Sequence, residues 1–379
     1  MALVLTEEQG MLRDAAAGFL AGRASLAQLR SLRERPEGPG FEPAVWREMV
    51  DMGWAGIAIP EAYGGLGYGY TGLGVVLEQM GRHLSASPLQ SCVLLGATVI
   101  NALGSEAQKS EWLGAIAAGE RRVALALQEG AQFAPLRTAL CVGRDGGDFV
   151  LSGEKRLVAD AEGADAFVVV ARGAGTPGDA AGLSVLLVPA DAPGLDRRRC
   201  AMVDARGYAA LQFDNVRVDA GALLGGHGEA WPQLEHCLDI GAAGIAAELL
   251  GLSLEAFERT LGYLRERRQF GRVIGSFQAL QHRAAALFAE LELARSVVLK
   301  ALHAVDAGDE RLPRLASAAK AKLCEVSTLA SNEGIQMHGG IGMTDEHDIG
   351  LFLKRARVLQ HLLGDRNYHL DRFARLSGY

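Results

Sequence analysis

The feature that most constrains this chain is the extent of its last helical stretch. After Gly228, apolar residues recur at helical spacing in long segments near residues 229–268, 276–306, 311–337 and 345–376. Helices of that length, joined by short connections, bury their apolar faces most simply against one another. The stretch therefore predicts an antiparallel four-helix bundle. From Arg121 to the mid-220s the pattern is that of strands instead. Val123-Ala-Leu-Ala-Leu-Gln128, Phe149-Val-Leu151, Phe167-Val-Val-Val170, Leu183-Ser-Val-Leu-Leu-Val188 and Leu211-Gln-Phe-Asp-Asn-Val-Arg-Val218 are separated by Gly, Pro and Asp. Asp145-Gly-Gly-Asp148 carries the signal of a two-residue hairpin. Short strands at this spacing predict a small antiparallel barrel or sandwich.

The first third is helical again. Thr6 followed by Gln9 reads as a capping box, with Leu12, Ala16 and Phe19 at helical spacing behind it. Val45, Trp46, Met49 and Val50 mark a second helix, and periodicity returns over Leu73–Arg82, Ser91–Leu103 and Ser105–Ala118. Pro60–Gly74 is glycine-rich and reads as a turn or mobile segment. The fold class expected is α+β multidomain. An N-terminal helical domain (1–120) precedes a middle antiparallel β-barrel or sandwich (121–225) and a C-terminal four-helix bundle (226–379).

Composition removes several function classes. Of 379 residues, 49% are hydrophobic and 22% charged, the balance of a globular chain. A net charge of -7 argues against a nucleic-acid partner, and an anionic ligand would need a local cluster of arginines. Cys92, Cys141, Cys200, Cys237 and Cys324 are odd in number and contain no C-x-x-C pair. A disulfide scaffold or a metal site is therefore not expected, and a reducing cytoplasmic location fits. The N-terminus turns acidic at once and does not read as a signal peptide. The apolar run Cys237–Leu252 is interrupted by Asp239 and Glu248, so a buried helix is expected rather than a membrane span.

Two constellations stand out. Arg265, Arg267, Arg268 and Arg272 surround the end of the first long helix, with Gly271 as its expected stop. One reading is a solvated basic terminus complementing the helix dipole. The other is a pyrophosphate site, because Ser276-Phe-Gln278 opens the next helix and helix starts offer N–H groups to anions. The second constellation is Gln336-Met-His-Gly-Gly-Ile-Gly342. Its glycines read as a helix stop and turn, or as a place where backbone approaches a ligand. His338 alone reads as a packed or capping histidine.

Together these segments resemble the flavin-dependent acyl-CoA dehydrogenases. The family pattern of Tyr, Arg and Gln-Phe-Gly followed by Phe-Gln falls on Tyr263, Arg267, Gln269, Phe270, Gly271, Phe277 and Gln278. Its Gln-x-x-Gly-Gly falls on Gln336, Gly339 and Gly340. Pro60-Glu-Ala-Tyr-Gly-Gly65, Leu151-Ser-Gly-Glu-Lys155 and Phe213-Asp-Asn-Val-Arg-Val218 match in the family's order, so the resemblance covers essentially the whole chain. It implies FAD, whose ADP half would be held by Arg267, Gln269, Phe270, Gln278, Gln336, Met337, His338, Gly339 and Gly340. In the family that FAD belongs to a neighbouring subunit. A homo-oligomer, or a hetero-oligomer with a second acyl-CoA dehydrogenase-like subunit, is thus implied. So are an acyl-CoA substrate, α,β-desaturation with hydride transfer to FAD, and electron-transfer flavoprotein as acceptor. The chain is similar to bacterial subunits acting on bulky or steroid-type acyl-CoAs, which implies a place in lipid or steroid catabolism.

Some family positions are changed. The carboxylate base usually stands at the position of Leu363, or in some members at that of Gly241. General-base catalysis is typically worth about 10²–10⁴-fold. Glu248 and Asp365 are substitute bases, with a paired buried carboxylate and a helix cap as their structural alternatives; Asp239 is a further carboxylate nearby in sequence. Where the family contacts its own flavin, Leu127–Phe133 keeps Glu129 but lacks Pro and Ser-Asp, and Leu157-Val-Ala-Asp160 lacks Trp and its hydroxyl neighbour. Two alternatives to an active dehydrogenase follow. One is a non-catalytic subunit of a heteromeric enzyme that completes the partner's FAD site; the other is a flavin-free scaffold. Gly241, Gly244 and Ala247 leave room for a wide substrate.

Overall fold

The computed structural model describes residues 3–35 and 37–379. The first helices are α1 (Glu7–Arg23), α2 (Leu26–Glu34), α3 (Pro43–Asp51), α4 (Gly69–His83), α5 (Thr98–Leu103) and α6 (Glu106–Ala117). A π-helical stretch, Leu89–Ala97, leads into α5. The capping box at α1 forms as expected. The Gln9 N–H donates to Thr6 Oγ1 at 3.2 Å, and Gln9 Oε1 accepts from the Thr6 N–H at 3.0 Å. Contacts divide the chain into two compact units. One holds residues 3–30, Tyr70–Ser85 and Ala242–Tyr379; the other holds Ser31–Gly69 and Ala86–Gly241.

The second unit is organised around one sheet. Its strands are β1 (Val123–Ala126), β2 (Cys141–Asp145), β3 (Asp148–Ala159), β4 (Ala166–Arg172), β5 (Leu183–Pro189), β6 (Leu195–Cys200), β7 (Tyr208–Val218) and β8 (Leu223–Leu224). They lie in the order β6-β7-β3-β2-β4-β5-β8, with β1 beside β4. The expected hairpin is present: Asp145 pairs with Asp148 across Gly146-Gly147. The sheet departs from an all-antiparallel arrangement in two places, because β4 runs parallel to both β1 and β2. The intervening β2–β3 hairpin gives the chain the long crossover that a parallel pairing needs. β4 is buried at every residue, as a continuous apolar run requires. Phe149, Phe167 and Phe213 fill the core between the faces.

The first unit contains the bundle: α7 (Trp231–Glu266), which enters it at Ala242, then α8 (Gln278–Asp306), α9 (Leu312–His338), α10 (Ile349–His361) and α11 (Arg366–Leu376). A small hairpin, β9 (Arg268–Gln269) with β10 (Arg272–Val273), joins α7 to α8. α7 is long and apolar enough to cross a membrane, but its apolar window is entirely buried in the protein. α4 lies against α7 nearly backbone to backbone. A Cβ on Gly81 would come within 2.1 Å of the Glu248 carbonyl oxygen, and one on Gly251 within 1.7 Å of the Glu78 carbonyl oxygen.

The last predicted helix, 345–376, is in fact two. The break falls at Leu362–Asp365, where Leu363 and Gly364 take positive φ of 55° and 103° and the Asp365 side chain caps α11 by accepting from the Tyr368 N–H. Buried Lys320 is the physical reason. Its ammonium donates to the carbonyls of Gln360 at 3.0 Å and Gly364 at 2.7 Å, which an unbroken helix would have kept for its own amides.

Candidate functional site

Three helix ends meet at one end of the bundle. α7 stops at Glu266, and the Ile274 N–H donates to the Arg267 carbonyl at 2.8 Å, turning the chain into the β9–β10 hairpin. The two residues between the strands, Phe270 and Gly271, have φ of 51° and 77°. Gly271 is therefore not the helix stop expected from sequence. It is the second residue of a hairpin turn that demands positive φ at both positions. Phe270 is thrust outward and is 91% exposed. Arg272 stacks over Phe277 at 4.1 Å, and Phe277 precedes α8 without offering a side-chain cap. The first amides of α8 are left available to an anion.

The end of α9 packs against this corner. His338 stacks on Tyr263 with ring centroids 4.5 Å apart, and His347 lies 4.5 Å from His338. Gly334 admits Thr260 and Ile349, and Glu333 holds Arg283 of α8 at 2.6 and 2.9 Å. Arg267, Gln269, Phe270 and Gln278 thus share one end of the bundle with Gln336, Gly339 and Gly340, and all seven are exposed. Met337 and His338, expected beside them, are buried instead. His338 Nδ1 is 2.6 Å from the Gly334 carbonyl. Burial holds the imidazole below its usual pKa, and His347 pushes in the same direction. Only the main chain of these two residues remains to face a ligand. Gly339 has φ 68° and ψ -142°, a conformation open essentially to glycine. A Cβ on Gly339 or Gly340 would meet nothing within 4 Å, so the space before the turn is open. An exposed guanidinium, three exposed carboxamides, an uncapped helix start and a bare glycine turn fit the diphosphate and ADP portion of a dinucleotide.

The positions expected to carry a base are built differently. Leu363 is 5% exposed, and its carbonyl lies 2.9 Å from His369 Nε2. Burial lowers the His369 pKa to about 3, with Lys320 reinforcing it. Gly241 is a buried residue of α7. Glu248, seven residues further along α7, is buried and gives Oε1 to the Arg355 guanidinium at 2.6 and 3.0 Å. Asp365 caps α11. Asp239 is buried on α7.

The segments compared with the family's own-flavin contacts lie in the sheet unit. Glu129 accepts from the amides of Ala139 and Leu140 at 2.7 and 3.1 Å and from buried Lys155 at 2.5 Å. Burial lowers Lys155 to about 8 against the pull of Glu129. Leu157 and Asp160 both have positive φ. Asp160 accepts from Ser91 Oγ at 2.8 Å and pairs with Arg206 at 3.2 Å, while Arg206 also donates to the Ser87 carbonyl at 2.7 Å. Sequence reasoning missed this buried network. A lone arginine in a loop gives no local sign of a partner 46 residues away.

Comparison with known proteins agrees with the fold. Three models match in chain order: the acyl-CoA dehydrogenase N-terminal domain over residues 6–120, the middle domain over 127–216 and the C-terminal domain over 228–377. The probable acyl-CoA dehydrogenase YngJ of Bacillus subtilis is 32% identical, covering 94% of each chain. The Tcur3481-Tcur3483 steroid ACAD superposes with a TM-score of 0.88 at 30% identity, covering 98% of each chain. The ChsE4-ChsE5 complex from Mycobacterium tuberculosis superposes with a TM-score of 0.90 at 25% identity over the full length of both. The fold is that of a flavoprotein oxidoreductase. The chain belongs to the acyl-CoA dehydrogenase family.

Proposed function

We propose that this chain works as a FAD-dependent acyl-CoA dehydrogenase, forming an α,β double bond in an acyl-CoA thioester within an oligomer. Arg267, Gln278 and the Gln336–Gly340 turn hold the ADP half of a FAD shared with a neighbouring subunit. The observation that carries this reading is their joint exposure at one end of the bundle, with open space before Gly339 and Gly340. FAD, when bound, supplies the hydride acceptor. Arg267 neutralises diphosphate charge, Gln278 and Gln336 orient the nucleotide, and the glycine turn brings backbone close to it. Electron-transfer flavoprotein is the electron acceptor in this reading, the cytoplasm is the location, and the functional domains divide near residues 120 and 225. The relatives include a steroid ACAD, which favours a bulky acyl group.

A second reading is favoured by Leu363 and Gly241 at the base positions and by the internal engagement of Glu248 and Asp365. In it the chain pairs with a second family subunit, completes that partner's FAD site, and leaves proton abstraction to the partner. The experiment is a flavin count on the full chain, purified alone and co-expressed with a second family subunit. About one flavin per chain alone, bleached by acyl-CoA, supports the first reading. Flavin retained only with the partner, at about one per pair, supports the second. No flavin in either preparation overturns both.

A further inference from the structure

A second cleft, of about 940 Å³, lies within the bundle unit between α1, α4, α7 and α8. It is remote from the nucleotide-binding end. Along α8 its lining starts at Glu292, about 20 Å beyond Gln278 at 1.5 Å per residue. Its volume is that of a small-molecule pocket. One wall is apolar, built from buried Val75, Leu250, Leu299 and Leu302.

The polar side carries an imbalance. Arg13 pairs with Asp14 at 2.8 Å, Arg82 with Glu258 at 3.0 Å and Glu255 at 3.5 Å, and Arg295 with Glu292 at 2.9 Å. Each guanidinium at the cleft therefore has a carboxylate of its own. Glu78 and Gln79, consecutive on α4, do not share in this pairing. Among the described residues, neither side chain has a hydrogen-bond or ion-pair partner. Gln79 is only 4% exposed, yet it lines the cleft. The Gln79 carboxamide lines the cleft, so a ligand there can supply the hydrogen bonds that the protein does not. Among the lining residues, three arginines face Asp14, Glu78, Glu255 and Glu292; Glu258 beside Arg82 and Arg259 beside Glu255 add one charge of each sign, so an excess of one negative charge remains. Burial raises the Glu78 carboxyl above its usual pKa, although Arg82, Arg295 and Arg13 oppose the shift. Burial lowers His83, which lines the same cleft, and so favours its neutral form.

We propose that this cleft is a binding site for a small amphipathic amine, its ammonium on the Glu78 carboxylate and Gln79 amide and its hydrocarbon along Val75, Leu250, Leu299 and Leu302. A monocation cancels the excess charge. An alcohol leaves that charge uncompensated, and a carboxylate adds to it. Because the site joins α1 to α4, α7 and α8, occupancy also raises the melting temperature of the chain.

The test is calorimetric titration of the full chain with n-hexylamine, hexanol and hexanoate near neutral pH. Saturable one-to-one binding is expected for hexylamine alone. Glu78→Gln, nearly isosteric, is expected to weaken it at least tenfold. Ser296→Trp, placed on the exposed rim of the cleft, is expected to abolish it without disturbing the core. No saturable hexylamine binding to the unaltered chain overturns the proposal. Equal affinity in Glu78→Gln, undiminished binding in Ser296→Trp, or hexanol binding as tightly as hexylamine also overturns it.

Discussion

Two regions of the same helical bundle handle their polar groups in opposite ways. At the α7–α8–α9 corner, Arg267, Gln278 and Gln336 are exposed, and the glycine turn beside them faces open space. At the Leu362–Asp365 turn the polar groups are consumed internally. Lys320 holds two carbonyls, His369 lies against a third, and Asp365 caps α11. Glu248 is likewise locked to Arg355. Gripping a nucleotide and removing a proton are separable tasks. On the proposed assignment the first is served by exposed groups, whereas the second has its nearest carboxylates engaged in structure.

The most forceful way to break the contrast is to restore a carboxylate at the turn. Leu363→Glu in a FAD-loaded assembly is expected to raise the rate of flavin bleaching by acyl-CoA about 10²–10⁴-fold, the usual worth of a general base. The backbone already holds a side-chain-bearing residue at φ 55°, so the substitution adds no new main-chain strain. No gain in a folded, flavin-loaded variant would show that this turn does not face the acyl group. Next in size is Glu248→Ala, which removes the carboxylate from the buried Arg355 ion pair. It should destabilise the chain by up to about 3–5 kcal/mol, the cost of breaking a buried ion pair, read as a shifted urea midpoint. A change within about 0.5 kcal/mol would mean that the ion pair is not structural.

What the sequence disclosed, and what it hid, follows the same division. Thr6 with Gln9 and the Asp145–Asp148 hairpin were legible because neighbouring residues set their geometry. The bundle was legible because its apolar period runs for whole helices. Arg267, Gln278 and Gly339-Gly340 were singled out from motifs along the chain, and the structure brings them to one exposed end of the bundle. The inward-turned groups gave no such motif. Leucine favours helices, so nothing near Leu363 announces a break imposed by Lys320, which lies 44 residues from Gly364. Gly271 looked like a helix stop because Phe270, at positive φ, conceals the hairpin. A partner for Glu248 was expected from its burial, but Arg355 could be found only once α7 and α10 were packed.

A smaller effect is expected at the exposed corner. On the proposed assignment, Arg267→Ala removes one charge-assisted contact with the diphosphate, worth about 1.5–3 kcal/mol. FAD affinity should therefore fall about 10- to 100-fold in the assembled complex, with the melting temperature of the flavin-free protein unchanged. Unaltered flavin retention, measured by dialysis and absorbance, would remove Arg267 from the site.

The smallest effect sharpens the contrast from the other side. His369 titrates at about 3 in the folded chain and near 6.5 in the unfolded one. Between those values the unfolded chain binds more protons, so stability is complete above about pH 6.5 and falls as the pH drops toward 3. The slope reaches at most about 1.4 kcal/mol per pH unit. Protonation would also add a second N–H at Nδ1, which is buried and has no acceptor among the described residues. His369→Gln keeps an amide donor for the Leu363 carbonyl but cannot titrate. Between about pH 5 and 6.5, where most carboxylates remain ionised, its urea midpoint should vary less with pH than that of the parent. Parallel curves would mean that His369 is already accessible to protons in the folded chain. The Leu363 turn would then be no more sealed than the exposed α7–α8–α9 corner.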